Sequence, residues 1–150
     1  MASELVGPNG FVLGIDMRPV EPLAIDNARI LLLDVMEPGA LERISAELPE
    51  EASVLLSDMA PSATGVRELD HARQIALAER ALEIARGLLR PGGRALIKVS
   101  QGDMLPVFLK VMKRSFRSSR LFKPRASRPE SSEIYVVGLG FSSSKRLKKM

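Results

Sequence analysis

The chain has 150 residues, the usual length of one domain, and a net charge of +4. It has no cysteine and one histidine, which excludes disulfides, thiolate metal sites and histidine clusters. Since no apolar run approaches the roughly 20 residues of a membrane span and the N-terminus lacks an export signal, we expect a cytoplasmic protein that binds neither metal nor membrane.

Strand-like and helical segments alternate along the chain. Apolar runs predict strands at FVLGI (11–15), RILLL (29–33), SVLLS (53–57), RALIKV (94–99) and EIYVV (133–137). Helices are predicted at 38–48, 70–90 and 103–117, and residues 119–123 fit a further short strand. In the long helix Asp70 is the predicted N-cap, His71 a predicted surface residue and Pro91-Gly92-Gly93 the predicted end. Such alternation, with continuously apolar strands, predicts a doubly wound α/β fold with a mostly parallel sheet.

Three consecutive predicted strands are each followed by an aspartate. These residues are Asp16, Asp34 and Asp58, and the carboxyl ends of parallel strands form the ligand-binding edge of such folds. A carboxylate there can accept hydrogen bonds from ribose hydroxyls, so the three together predict a nucleoside site, although each alone also fits a turn or helix cap. No glycine-rich phosphate motif is present, which argues against NAD and ATP.

Three charged residues interrupt or border apolar segments. Asp58 closes SVLLS, Lys98 lies within RALIKV and Glu133 opens EIYVV. Buried charge is costly unless it is paired or used, so we expect the three to meet at one edge of the sheet. A lysine held there could help to remove a proton from a hydroxyl group. The alternative is an edge-strand lysine with its ammonium group in water.

Charge is divided unevenly along the chain. Residues 1–109 carry 10 basic and 16 acidic side chains, whereas residues 110–150 carry 12 and 2. A basic C-terminal third predicts a polyanionic partner, and nucleic acid fits better than a membrane because no amphipathic anchor accompanies it. We predict a folded domain over residues 1–141 and a basic tail over 142–150, which alone fits a solubilising tail equally well.

Four segments of the chain resemble one enzyme family. They are LLSDMAPSATG (55–65), the helix beginning at Asp70, LLRPGGRALIKVSQG (88–102) and FKPRASRPESSEIYVV (122–137). Together they are similar to the FtsJ/RrmJ (RlmE) family of ribosomal RNA ribose 2′-O-methyltransferases. The resemblance runs from GFVLGID onward and implies a Rossmann-like methyltransferase fold, S-adenosylmethionine (AdoMet) as cofactor and RNA, in particular large-subunit ribosomal RNA, as substrate.

The resemblance also implies roles for individual residues. The family uses a Lys–Asp–Lys–Glu tetrad, and Asp58, Lys98 and Glu133 match its last three positions. Asp16 resembles the acid that binds the cofactor ribose, Asp34 the residue at the adenine, and Asp58 borders the same cofactor site. The basic residues that would face RNA phosphates are Lys123, Arg125 and Arg128.

The N-terminus departs from the family pattern. In family members, three features come before the segment that MASELVGPNG resembles: the first lysine of the tetrad, the first strand and the glycine-rich AdoMet loop. The given sequence does not include these features. We therefore expect an N-terminally truncated domain in which Met1 is an internal methionine, and upstream in-frame coding sequence would support this. The alternatives to a ribosomal RNA methyltransferase are a non-catalytic RNA-binding remnant, a transfer RNA ribose methyltransferase and a small-molecule methyltransferase.

Overall fold

The computed structural model describes residues 1–22, 24–128 and 131–142. The chain forms two compact units, residues 1–50 and 51–150, which are described separately below. Except for Ser142, the predicted tail at 142–150 lies outside the described residues. Within the described part of the chain, no helix is both long and apolar enough to cross a membrane.

The first unit contains two parallel strands and two short helices. Its elements are α1 (Ala2–Val6), β1 (Val12–Asp16), β2 (Ala28–Leu32) and α2 (Ala40–Glu47). The strand register runs from Val12 opposite Ala28 to Asp16 opposite Leu32, so the carboxyl ends of both predicted strands lie at one edge. The side-chain amide of Asn27 donates to the carbonyls of Ser3 and Gly7, at 2.8 and 3.0 Å, and so anchors α1.

The second unit is a four-stranded mixed sheet with two helices. Its elements are β3 (Ala52–Ser57), α3 (Arg67–Leu88), β4 (Leu89–Ser100), α4 (Leu105–Ser115), β5 (Phe116–Phe122) and β6 (Glu133–Phe141). The strand order is β3-β4-β6-β5; β3 and β4 are parallel, whereas β6 is antiparallel to both of its neighbours. All strand and helix predictions in this part are therefore confirmed in type, and the short strand near 119–123 is β5.

The core of the second unit lies between one face of the sheet and the two helices. Buried side chains alternate along β4 at Ala95, Ile97 and Val99, and Val136 is buried opposite Ile97 on β6. They pack in one cluster with apolar residues of α3 and α4, among them Phe108. Because strand side chains alternate between faces, Lys98 points to the other face, away from this core.

Two predicted boundaries of α3 are wrong. The helix begins at Arg67, and the Asp70 carboxylate accepts hydrogen bonds from the Thr64 N–H and hydroxyl and from the Gly65 N–H, at 2.9, 2.7 and 3.2 Å. Asp70 therefore fixes the turn before the helix instead of capping it. The helix ends at Leu88 because Leu89 already has an extended backbone, and β4 begins at once. Gly92, at a φ of 82°, lies where the pairing of β3 with β4 is irregular.

Candidate active site

The three charged residues singled out in the sequence meet at one edge of the four-stranded sheet. Asp58 directly follows β3, Lys98 lies near the carboxyl end of β4, and Glu133 is the first residue of β6. Parallel β3 and β4 end at the same edge, and antiparallel β6 begins there, since Glu133 lies opposite Ser100. Topology thus joins side chains that are up to 75 residues apart in the sequence.

Lys98 lies between the two carboxylates. Its Nζ is 3.1 Å from Asp58 Oδ1 and 3.4 Å from Glu133 Oε2. Only 11% of the Lys98 side chain is exposed, against 72% for Asp58 and 49% for Glu133. The ammonium group is therefore the inner member of the cluster, and an acidic rim faces solvent.

Tyr135 is a fourth member of this cluster that the sequence analysis did not assign. Its hydroxyl donates to Asp58 Oδ1 at 2.5 Å, and its Cα lies opposite Lys98 in the β4–β6 register. Tyr135 is two residues after Glu133, so both side chains project from the same face of β6. This alternation was visible in the sequence, but the register that places Tyr135 beside Lys98 was not.

The charges hold one another ionised. Burial raises the pKa of Asp58, but the hydrogen bond from Tyr135 and the nearby Lys98 ammonium outweigh it and lower the pKa below 3.8. Burial likewise lowers the pKa of Lys98, yet the Asp58 hydrogen bond and the charges of Asp58 and Glu133 raise it above 10.5. At neutral pH the cluster therefore contains an ammonium and at least one firmly ionised carboxylate.

We predict that Tyr135 titrates above its ordinary pKa of 10.0, because its hydrogen bond to Asp58 and its partial burial both favour the neutral phenol. Because folding raises this pKa, the neutral Tyr135 phenol stabilises the folded state. This stabilisation is complete below pH 10.0 and is lost as the pH rises through the folded-state pKa. Tyr135 is the only tyrosine and the chain has no tryptophan, so near-ultraviolet phenolate absorbance measures it alone.

The matched variant for this titration is Asp58→Asn. It removes the carboxylate but keeps the shape of the side chain, so the Tyr135 pKa should return toward its ordinary value. Identical titration curves for the two proteins would contradict the Asp58–Tyr135 hydrogen bond.

An open cavity of about 370 Å³ borders the cluster. Asp58 and Tyr135 form its polar side, and apolar side chains, among them Leu96 and Phe122, line the remainder. Phe122 is half exposed and lies opposite Tyr135 in the β5–β6 register. The cavity has the mixture of apolar wall and a few polar groups that is typical of small-molecule and nucleoside sites.

Asp16 and Asp34 both lie in the first unit, at the carboxyl edge of β1 and β2. The Asp16 carboxylate accepts the Arg18 N–H at 2.9 Å, and the Asp34 carboxylate accepts the Met36 N–H at 3.0 Å. In each pair the bond uses Oδ1 and spans two residues, which is the geometry of an Asx turn. Both residues therefore have a local structural role, and their assignment to the cofactor remains a prediction.

The predicted RNA-binding residues lie in the segment that joins β5 to β6. Arg125 and Arg128 are exposed, whereas Lys123 is partly buried and donates from Nζ to the Ser131 carbonyl at 2.9 Å. Lys123 thus joins the two ends of this segment, and Ser131 lies two residues before Glu133. The basic segment is consequently adjacent to the charged cluster, and its binding to RNA stays a prediction.

The prediction that His71 is a surface residue holds only in part, because the residue is partly buried and both ring nitrogens have partners. Nδ1 is 2.7 Å from Ser100 Oγ, and the Met104 N–H donates to Nε2 at 3.1 Å. Since Nε2 accepts, the proton of the neutral ring lies on Nδ1. A Cβ at Gly102 would come within 2.5 Å of the ring, so the His71 ring packs where only a glycine fits. The glycine at position 102 was the sequence feature that could have indicated this packing.

The family model of the FtsJ-like methyltransferases matches residues 1–141. The chain belongs to this family. Among curated relatives, the ribosomal RNA large subunit methyltransferase E of Methanothrix thermoacetophila is 46% identical over 138 residues, covering 92% of this chain and 52% of the relative. The protein of the same name from Syntrophobacter fumaroxidans is 43% identical, covering 95% of this chain and 72% of the relative. The chain therefore spans about half the length of the first relative.

Solved structures confirm the predicted Rossmann-like methyltransferase fold of this FtsJ-like chain. A Plasmodium falciparum protein described as a ribosomal RNA methyltransferase superposes with a TM-score of 0.70 at 22% identity, covering 87% of this chain and 71% of that one. Human methyltransferase-like protein 13, solved in complex with SAH, superposes with a TM-score of 0.60 at 12% identity, covering 94% and 68%. At these identities the likeness concerns the fold.

Proposed function

We propose that the protein is an AdoMet-dependent RNA methyltransferase that modifies a ribose 2′-hydroxyl, with large-subunit ribosomal RNA as its substrate. The observation that carries this proposal is Lys98 held between Asp58 and Glu133 in a chain of the FtsJ-like family. The names of the relatives from Methanothrix and Syntrophobacter support ribosomal RNA as the substrate.

The residues of the first unit fit an adenosyl cofactor. Asp16 and Asp34 each use Oδ1 in a local turn, and each carboxylate has a second oxygen that can accept from a ribose hydroxyl or an adenine amino group. Asp58 is the third predicted cofactor neighbour, in the second unit. AdoMet supplies an electrophilic methyl group bound to a positively charged sulfur.

Lys98 is the proposed base for the ribose hydroxyl. When bound AdoMet gives its methyl group to the 2′-oxygen, with the methyl–sulfur electron pair staying on sulfur, the neutral Lys98 amine would accept the hydroxyl proton and pass it to water. Asp58 and Glu133 orient this amine and stabilise the ammonium that results. Their charge also raises the Lys98 pKa, so the neutral amine is scarce at pH 7 and methyl transfer should accelerate as the pH rises.

The basic surface supports an RNA substrate. Residues 104–128 contain eight basic and no acidic side chains. This stretch includes α4, the edge strand β5 and the segment with Arg125 and Arg128, so positive charge is concentrated on α4, on β5 and on the segment that leads to Glu133. An RNA backbone along this edge would gain phosphate contacts beside the target ribose.

Replacing Arg125 and Arg128 by alanine should weaken RNA binding uniformly across sequences. Each lost phosphate contact should reduce the slope of log affinity against log salt by about one. The measurement is RNA affinity at several salt concentrations, and Arg80→Ala is the matched control. Arg80 is paired with Glu83 at 2.7 Å, so its removal should leave the slope unchanged. A double variant with the wild-type slope would exclude these two arginines from the RNA interface.

The function is tested by incubating the protein with methyl-labelled AdoMet and unmodified large-subunit ribosomal RNA, followed by digestion to nucleosides. A labelled 2′-O-methylnucleoside is expected, whereas label on a base would overturn the proposal. Preferential labelling of transfer RNA would favour that alternative substrate. Calorimetry with AdoMet completes the test: a folded chain that binds RNA but no AdoMet is a non-catalytic RNA-binding protein. Label in a small molecule but not in RNA would indicate a small-molecule methyltransferase.

A further inference from the structure

Gln74 occupies a buried position at the point where β3 and β4 separate. It lies on α3, one turn after His71, and only 4% of its surface is exposed. Its Nε2 donates to the Met59 carbonyl at 2.8 Å and approaches the Lys98 carbonyl at 3.4 Å. One side-chain amide therefore contacts two backbone carbonyls, that of Met59, which follows Asp58, and that of Lys98.

Backbone hydrogen bonding explains why a glutamine is useful there. The last paired residues of parallel β3 and β4 are Ser57 and Ile97, so the carbonyls of Met59 and Lys98 lie beyond the β3–β4 ladder, whereas Lys98 still pairs with Tyr135 of β6. Buried carbonyl groups need donors, and the β3–β4 ladder supplies none beyond its last pair. The amide of Gln74 replaces the missing ladder bonds and ties both strand ends to a rigid helix of 22 residues.

We propose that Gln74 is a positioning residue that sets the separation between Asp58 and Lys98. His71 acts similarly one turn earlier, where it holds Ser100 and the Met104 N–H. The Asp58–Lys98 distance of 3.1 Å and the Asp58–Tyr135 hydrogen bond both depend on where β3 ends relative to β4. The effect of Gln74 on catalysis rests on the proposed function, but its effect on the Asp58 environment can be measured without methyl transfer.

The test is Gln74→Met, which keeps the length of the side chain and removes both N–H donors. Tyr135 is the readout, since its pKa is raised by its hydrogen bond to Asp58. We expect its titration to move toward the ordinary pKa of 10.0 and the kcat of methyl transfer to fall roughly tenfold or more. A folded Gln74→Met protein with the wild-type Tyr135 titration and kcat would overturn the proposal.

Ser115→Ala is the matched control for a purely structural effect. Ser115 is buried and accepts a hydrogen bond of 2.9 Å from Arg86 Nε, near the other end of α3. Its removal also deletes a buried polar contact of this helix, but it should change neither the Tyr135 titration nor kcat. Equal effects of both substitutions would show that α3 merely supports the fold and would overturn the positioning role.

A second measurement uses the unaltered protein, in case Gln74→Met does not fold. The chain contains two glutamines, and Gln101 is exposed. By NMR, the side-chain amide protons of Gln74 should exchange with solvent much more slowly than those of Gln101. Equal rates would overturn the proposal that the Gln74 amide is held by the two carbonyls. Should the protein lack methyl transfer altogether, the proposed function fails, while the titration and exchange data still decide the role of Gln74.

Discussion

Replacing Lys98 by methionine should reduce methyl transfer to RNA by about a hundredfold to a thousandfold or more. The substitution keeps the unbranched stem of a side chain that is 11% exposed and removes the amine that we propose as the base. AdoMet affinity should stay nearly unchanged, because the predicted cofactor contacts are Asp16, Asp34 and Asp58 and not Lys98 itself. Single-turnover kinetics and calorimetry separate the two effects, and substantial retained activity would refute the assigned role.

Two further variants sharpen this result. Lys98→Arg retains the positive charge between Asp58 and Glu133 but cannot become a neutral base, so it should be almost as inactive as Lys98→Met. Lys110→Met removes an exposed lysine of α4 and should leave kcat unchanged at saturating RNA.

In the wild type the rate of methyl transfer should continue to rise with pH toward the Lys98 pKa, above 10.5, and a plateau near neutrality would indicate another base.

Replacing Phe116 by alanine should lower the free energy of unfolding by about 3–5 kcal/mol. Phe116 is fully buried at the start of β5, and its ring lies 5.7 Å from that of Phe141, centroid to centroid. A Cβ at Gly138 would come within 2.7 Å of the same ring, so the site is tightly packed. Since natural domains are stable by about 5–15 kcal/mol, much of the protein should unfold at moderate urea concentrations.

Phe122→Ala is the matched control, because Phe122 belongs to the same strand but is half exposed. Its removal leaves no enclosed cavity and should cost about 1 kcal/mol or less. Urea titrations followed by circular dichroism measure both variants. Equal urea midpoints for the two proteins would contradict the assignment of Phe116 to the core.

The sequence predicted the charged cluster through the cost of burial. A lysine between Ile97 and Val99 needs a partner, and Asp58 and Glu133 were the carboxylates at comparable positions in neighbouring strands. The partners Tyr135 and Gln74 could not be predicted in the same way. A tyrosine in a strand and a glutamine in a long helix both have ordinary explanations, and nothing in their spacing indicates which side chain or carbonyl they reach.

The boundaries of α3 show a similar limit. Asp70 is a residue type that is common at N-caps, but the helix begins three residues earlier. Its carboxylate therefore accepts hydrogen bonds from the preceding turn at Thr64 and Gly65. Pro91-Gly92-Gly93 was expected to separate a helix from a strand, yet β4 runs through it. Glycine permits several backbone conformations, and the pairing with β3 selects among them.

By itself the sequence determined the α/β class, the type of nearly every element and the family, because hydrophobic periodicity and local motifs are properties of short segments. The tertiary structure decided which segments are neighbours. Strand order and register bring Lys98, Asp58, Glu133 and Tyr135 within hydrogen-bonding range, and α3 places Gln74 at the gap between two strands. Such contacts depend on long-range pairing, which no local pattern encodes.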